Sequence, residues 1–324
     1  MAFKFKRTES IGDGIRRIAA EQLDRAIASV TAVGADMNVV VHGVRRRCKR
    51  VRAVVRLARN SLARSSEHEA WLRDTAALLS RARDAAVLPK THAVVAANVG
   101  EGIDDYAAAR VLESLQAQFR AETELPLDTW GATVETVRSR LVKARCSVDG
   151  WRIDGEGFDA IGTGLQATYS RARNAMRKAR RSSSTADCHR WRKGVKYHGF
   201  HVQLIRGVWP CAMQARLSAA EELGDLLGRI HDLAVYRAAI DGAMSDDAAA
   251  SQLRPFRNAA DRLGTDLLLR CWPLGQRLFV LTPKTFAEEQ ETYWRAWRAE
   301  RTAETLRAPQ AAGAVGRAAR RIGG

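Results

Sequence analysis

Residues 38–62 read NVVVHGVRRRCKRVRAVVRLARNSL, with nine basic side chains, His42 included, and no acidic one. Wound at 100° per residue, the stretch separates into two sides. Val40, Val44, Cys48, Val51, Val55, Ala58 and Leu62 fall on one, which can pack into a core. His42, Arg45, Arg46, Lys49, Arg52 and Arg56 fall on the other, a ladder of cations with a histidine at its head. Like charges three or four positions apart on a helix repel by on the order of tenths of a kcal/mol per pair. No acid within the helix offsets that. The stretch predicts a helix whose charged side is completed by carboxylates from elsewhere in the fold or by a polyanion.

The pattern returns. Residues 187–205 read DCHRWRKGVKYHGFHVQLI, and His189, Arg192, Lys193 and Lys196 repeat the spacing of His42, Arg45, Arg46 and Lys49 after 147 residues. Trp191, Val195, Val202 and Ile205 form the opposite, apolar face. A second pair agrees: LLSRARDAAV (78–87) and LLGRIHDLAV (226–235) match at six of ten positions after 148 residues. That pair aligns Arg81 with Arg229 and Asp84 with Asp232. One cationic helix is usually a solvated surface. Two matching ones at nearly one offset mark an internal repeat. The expected fold is all-α, two helical bundles related by a pseudo-twofold axis, 1–149 and 150–307. If the ladders face each other, they border a basic central groove or channel roughly 38 Å long. The Ala, Gly and Arg tail at 308–324 is expected to be disordered.

Apolar residues make up 46% of the 324, ample for a core, and the net charge is +17. Such a balance favours anionic partners: nucleic acid, polyphosphate or an acidic membrane surface. Five cysteines without a C-x-x-C pair point to a reducing compartment and no structural disulfide. No apolar run suits a secretory signal or a membrane span. A short extended lead (1–7) precedes helices at about 8–33, 38–62, 67–88, 104–123 and 127–146. Pro89 is expected to close the third. The glycine-rich segment 150–157 is the candidate linker. Helices then follow at 158–181, 187–205, 212–241, 246–279 and 284–306, with Pro255 and Pro273 as interruptions in the fourth of these.

Arg offers planar forks for phosphate oxygens and Lys a mobile point charge. Reading bases would require aromatic platforms or amides among the cations, and the basic faces carry none except Phe200. This favours phosphate recognition without base recognition. Arg81, Asp84, Arg229 and Asp232 read as supporting residues that pair with a ladder cation or its histidine, rather than as catalytic acids. His198 and His201 have H-x-x-H spacing, but His198 lies on the Trp191 side and no carboxylate completes a metal site. Trp294 and Trp297 read as packing residues. No cofactor or metal is expected.

Taken together, H-x-x-R-R-x-x-K at 42–49, HRWRK-x-x-K at 189–196 and the R-x-x-D segments at 81–84 and 229–232 resemble the CHAD family, the conserved histidine α-helical domain. The resemblance spans about 8–306. It implies two pseudo-symmetric bundles around a basic channel and binding of inorganic polyphosphate or phosphate without catalysis, in the cytoplasm and on polyphosphate granules in some members. On that pattern His42, Arg45, Arg46, Lys49, Arg52, Arg56, His189, Arg192, Lys193 and Lys196 contact the ligand. Tyr169 and Arg173, in YSRAR, also resemble family positions. The second ladder is shorter, because Tyr197 and Gly199 stand where the first has Arg50 and Arg52. The alternatives are a nucleic-acid-binding protein acting through charge alone and an enzyme on polyphosphate or phosphoesters, which would call for a carboxylate-held metal.

Overall fold

The computed structural model describes residues 3–32, 37–79, 81–100, 109–117, 127–244 and 247–300, less the side chains of residues 38, 81–86 and 127–129. The described residues are helical throughout, joined by turns: α1 (Ile11–Thr31), α2 (Met37–Leu57), α3 (Ser65–Ala77), α4 (Arg81–Ala96), α5 (109–117), α6 (Leu127–Val148), α7 (Asp159–Ser182), α8 (Thr185–Ile205), α9 (Pro210–Ala243), α10 (Asp247–Leu278) and α11 (283–300). None of these helices is long and apolar enough to cross a membrane. The expected tail, 308–324, lies outside the described residues.

Local chemistry sets the helix starts. The Ser10 hydroxyl accepts from the Asp13 backbone N–H at α1, and the Ser184 hydroxyl does the same for Asp187 at α8, each satisfying an N–H left over in the first turn. Pro210 opens α9, where a missing N–H does no harm. The apolar stripes then decide the packing. Ile15, Ile18 and Leu23 of α1 are fully buried, each contributing roughly 1.5–3 kcal/mol. On α2 the buried side includes Val41, Val44, Cys48, Val51, Val54, Val55 and Leu57, and buried Ala58 follows in the turn. That is the expected face, turned slightly so that Val41 replaces the half-buried Val40.

Helix α2 is the hub. It packs on α1, α3, α4, α7 and α8. Helices α7, α8, α9 and α10 pack in sequence, and α4 reaches across to α9 and α10. One apolar cluster runs through them all, from Phe3 to Trp297. Two close approaches fix α2 and α8. At Gly164 of α7 a Cβ would sit 2.0 Å from the Leu57 carbonyl oxygen, and at Gly194 of α8 it would sit 2.7 Å from Ala172 Cα. Glycine lets the backbones touch there.

Two expectations are corrected, and two segments gain detail. The break near 88 falls earlier: α3 ends at Ala77, and Pro89 lies inside α4. The Arg45 guanidinium donates to the Ala76 carbonyl at 2.8 Å, so a cation takes one of the carbonyls exposed at the end of α3. Pro255 and Pro273 do not interrupt α10. The residues four before them, Ser251 and Leu269, are exposed, so water can take the carbonyls that the prolines leave unpaired. The segment 150–157 is not slack: Trp151 is buried, the Asp154 backbone N–H donates to the Ser61 carbonyl at 2.8 Å, and Leu62 bridges Ile153. Gly155 and Gly157 turn it at φ +80° and +56°. Finally, the lead is anchored. Phe3 and Phe5 are buried, the Phe5 N–H donates to the Leu204 carbonyl at 2.9 Å, and Phe5 meets Trp294 edge-on.

Candidate phosphate-binding cavity

Both cationic ladders open onto one cavity of about 1220 Å³. His42, Arg45, Arg46, Lys49, Arg52 and Arg56 of α2 line it, and so do His189, Arg192, Lys193 and Lys196 of α8. Among the described residues, twelve Arg and Lys border the space against two carboxylates, Glu221 and Asp232. A concave wall with that imbalance focuses a positive potential. The ten ladder residues are thus brought together, and Arg229 and Asp232 join them at the wall. The side chains of Arg81 and Asp84 lie outside the described residues.

Tyr169 and Arg173 are not brought there. Tyr169 is fully buried, stacked on Phe286 with ring centroids 4.3 Å apart, and its hydroxyl donates to the Leu281 carbonyl at 3.2 Å. Arg173 donates to the Phe279 carbonyl at 3.1 Å. Both fasten α7 to the turn after α10. Helical spacing puts them on the α7 face that meets that turn rather than the cavity. The H-x-x-H pair also belongs to the core: His198 is fully buried among Tyr169, Phe279 and Phe286, and His201 Nε2 donates to the Ala53 carbonyl at 2.9 Å. Among the described residues no three His, Cys, Asp or Glu side chains gather as a metal site would require.

The ladders are supported unequally. At the C-terminal end of α2, Glu69 from α3 takes both Arg52, at 3.2 Å, and Arg56. Burial pushes the Glu69 carboxyl up, but the two guanidiniums outweigh it and hold it below its usual range. Arg56 and Arg52 also lie over the Tyr197 ring, 3.9 and 5.7 Å from its centroid. The buried ring in the second ladder is therefore a platform for the arginines of the first. On α8, Lys196 Nζ pairs with Asp225 at 2.9 Å. Asp187 at the head of that helix is held well below its usual range by the Ser182 hydroxyl and the Arg190 guanidinium. His189 stands 4.6 Å from His231, ring to ring. Arg46, Lys193 and Arg229 line the cavity with no carboxylate at ion-pair distance among the described residues.

Sequence reasoning missed Glu69, Asp225 and Tyr197 in these roles, since nothing local links them to the ladders. It also missed a legible feature. Gly224 and Gly228 of α9 are four apart, as are Arg192 and Lys196 of α8. The Lys196 stem lies where a Cβ on Gly224 would come within 2.9 Å, and the Arg192 guanidinium is 3.5 Å from the corresponding point on Gly228. The glycines let both cations lie flat across α9 and reach the cavity.

The family model of the CHAD domain matches residues 17–241. Among solved structures, the chain resembles the crystal structure of the CHAD domain from the plant Ricinus communis, at 16% identity and a TM-score of 0.55, covering 86% of this chain and 94% of that one. It also resembles PptA from Streptomyces chartreusis, at 12% identity and a TM-score of 0.54, covering 84% of this chain and 98% of that one. At those identities the likeness is one of fold. No curated protein matches the sequence.

Proposed function

The chain belongs to the CHAD domain family, and from that premise we propose that it is a non-catalytic module binding inorganic polyphosphate in the cavity between α2 and α8. The observation that carries the reading is the meeting of two separately encoded cation ladders at one space. Phosphoryl oxygens suit such a wall: Arg46, Lys193 and Arg229 have charge to offer, and partly desolvated guanidiniums bind oxyanions more strongly than exposed ones. The same reading takes the cavity as the channel of a duplicated bundle, 1–149 and 150–307. It is supported by the matched offsets of the ladders and by the packing of each cationic helix on the helix before it. It also carries the family's expectation of a cytoplasmic, granule-associated protein.

Binding to long-chain polyphosphate should weaken steeply with salt, by a log–log slope of ~0.7 per phosphate contacted if the chain behaves like a single strand. Lys49→Glu combined with Lys196→Glu should abolish it while circular dichroism shows unchanged helicity. Full affinity in that folded double variant would sink the reading. Competition decides the alternative: polyphosphate should displace single-stranded RNA at matched charge, and RNA should not displace polyphosphate.

A further inference from the structure

Helix α2 carries cations on a second flank. A pocket of about 430 Å³ opens on the side that faces α1, bordered by Arg25 of α1 and by His42, Arg46, Arg47 and Arg50 of α2. His42, Arg46 and Arg50 also line the cavity, so a row spaced by four residues, roughly 12 Å long, forms the crest between the two spaces. Gly43 lies four residues before Arg47 and presents no side chain, which leaves the pocket its room.

The guanidiniums of the pocket are only partly matched by their neighbours, Arg50 lying over the Phe3 ring 5.0 Å from its centroid. Arg47 and Arg50 each donate one Nη1 to the same amide oxygen of buried Gln22, at 3.4 Å. Their Nε groups are buried without a hydrogen-bond partner among the described residues. Neither guanidinium has a carboxylate at ion-pair distance among the described residues. Burial, together with the neighbouring arginines, makes both easier to deprotonate than usual, Arg50 down to about 10. Converging guanidiniums with no carboxylate beside them among the described residues are the arrangement that an oxyanion satisfies.

We propose that this pocket is a second phosphate site, which grips the polyphosphate segment leaving the cavity over the crest of His42, Arg46 and Arg50. The proposal rests on the polyphosphate reading above. It makes the bound segment longer than the cavity alone could hold and gives α1 a part in binding through Arg25.

The test uses the full chain, with tripolyphosphate as a short probe and long-chain polyphosphate as the long one. Arg47→Gln removes a charge from the pocket and none from the cavity. It should weaken long-chain binding roughly tenfold, the effect of one charge-assisted contact, and lower the salt slope by ~0.7. Tripolyphosphate binding should not change. Gly43→Leu is a second variant, because a Cβ there meets Ser29 Oγ at an ordinary 3.6 Å. It fills the pocket without altering charge and should give the same split. Unchanged long-chain affinity and slope in both variants, with Lys49→Glu/Lys196→Glu still abolishing binding, would overturn the second site alone. A wild-type chain that binds neither probe would overturn it together with the reading beneath it.

Discussion

Histidine meets opposite demands at two places on α8. His189 heads the ladder beside the cavity, whereas His201, twelve residues on, is sealed in the core with Nε2 on the Ala53 carbonyl and Nδ1 unpartnered. Burial pushes His201 down to about 4. The Ala53 hydrogen bond opposes that and the Arg56 charge adds to it. The unfolded value is about 6.5. Between these two values the unfolded chain takes up a proton that the folded chain refuses. The stability His201 contributes is therefore complete above about pH 6.5 and lost as the pH falls toward about 4. At pH 4.5 the loss should be on the order of 2 to 3 kcal/mol. His201→Gln keeps an N–H for Ala53 and cannot titrate. Urea unfolding at pH 7 and pH 4.5 should show a smaller difference for that variant by about this amount. Equal pH dependence in the two proteins would mean that His201 is solvated or already protonated in the fold.

The α2–α7 crossing depends on one missing side chain. A Cβ at Gly164 would overlap the Leu57 and Arg56 carbonyl oxygens at 2.0 and 2.6 Å, and backbone cannot swing aside as a flexible side chain can. Gly164→Ala should destabilise the protein by roughly 1–3 kcal/mol or more, as overpacking does, and should weaken ligand binding because Arg56 shifts with its helix. Gly131→Ala, in α6 with nothing within 4 Å among the described residues, should stabilise by roughly 0.5–1 kcal/mol. Thermal unfolding of the pair checks the contrast, and a neutral Gly164→Ala would show that the helices can part freely. The same comparison shows what was legible. Periodicity revealed α2 and α8, their buried faces and the ladder side, because 3.6-residue spacing is written directly into the chain. Helix ends were harder to read. Where the carbonyl that a proline leaves without a donor belongs to an exposed residue, as at Ser251 and Leu269, the helix runs on. Where Arg45 takes up a carbonyl at Ala76, it stops without a proline. Tyr169 and Arg173 were misjudged because a motif says which residues recur and not which neighbour they meet.

At the scale of the whole molecule the net charge of +17 is unevenly met. Glu69 and Asp225 quiet parts of the ladders, yet among the described residues twelve cations line the cavity against two carboxylates. Folding therefore gathers like charges that the unfolded chain holds apart, and the empty protein carries that repulsion as lost stability. Screening should recover part of it. Between about 0.01 M and 0.1 M salt the screening length falls from about 30 Å to about 10 Å, so the melting temperature of the ligand-free protein should rise. Lys49→Glu/Lys196→Glu replaces two cavity cations by anions, and its melting temperature should rise less over the same range. Adding polyphosphate at low salt should stabilise the wild type much further, by about 2.7 kcal/mol at a hundredfold excess over Kd, and leave the double variant unmoved. The combination separates two causes. If salt stabilised both proteins equally, the repulsion would lie on the outer surface and not between α2 and α8. If polyphosphate stabilised both equally, it would be binding to charge in general. A salt response that shrinks and a polyphosphate response that disappears when Lys49 and Lys196 are reversed belong to the space those residues share.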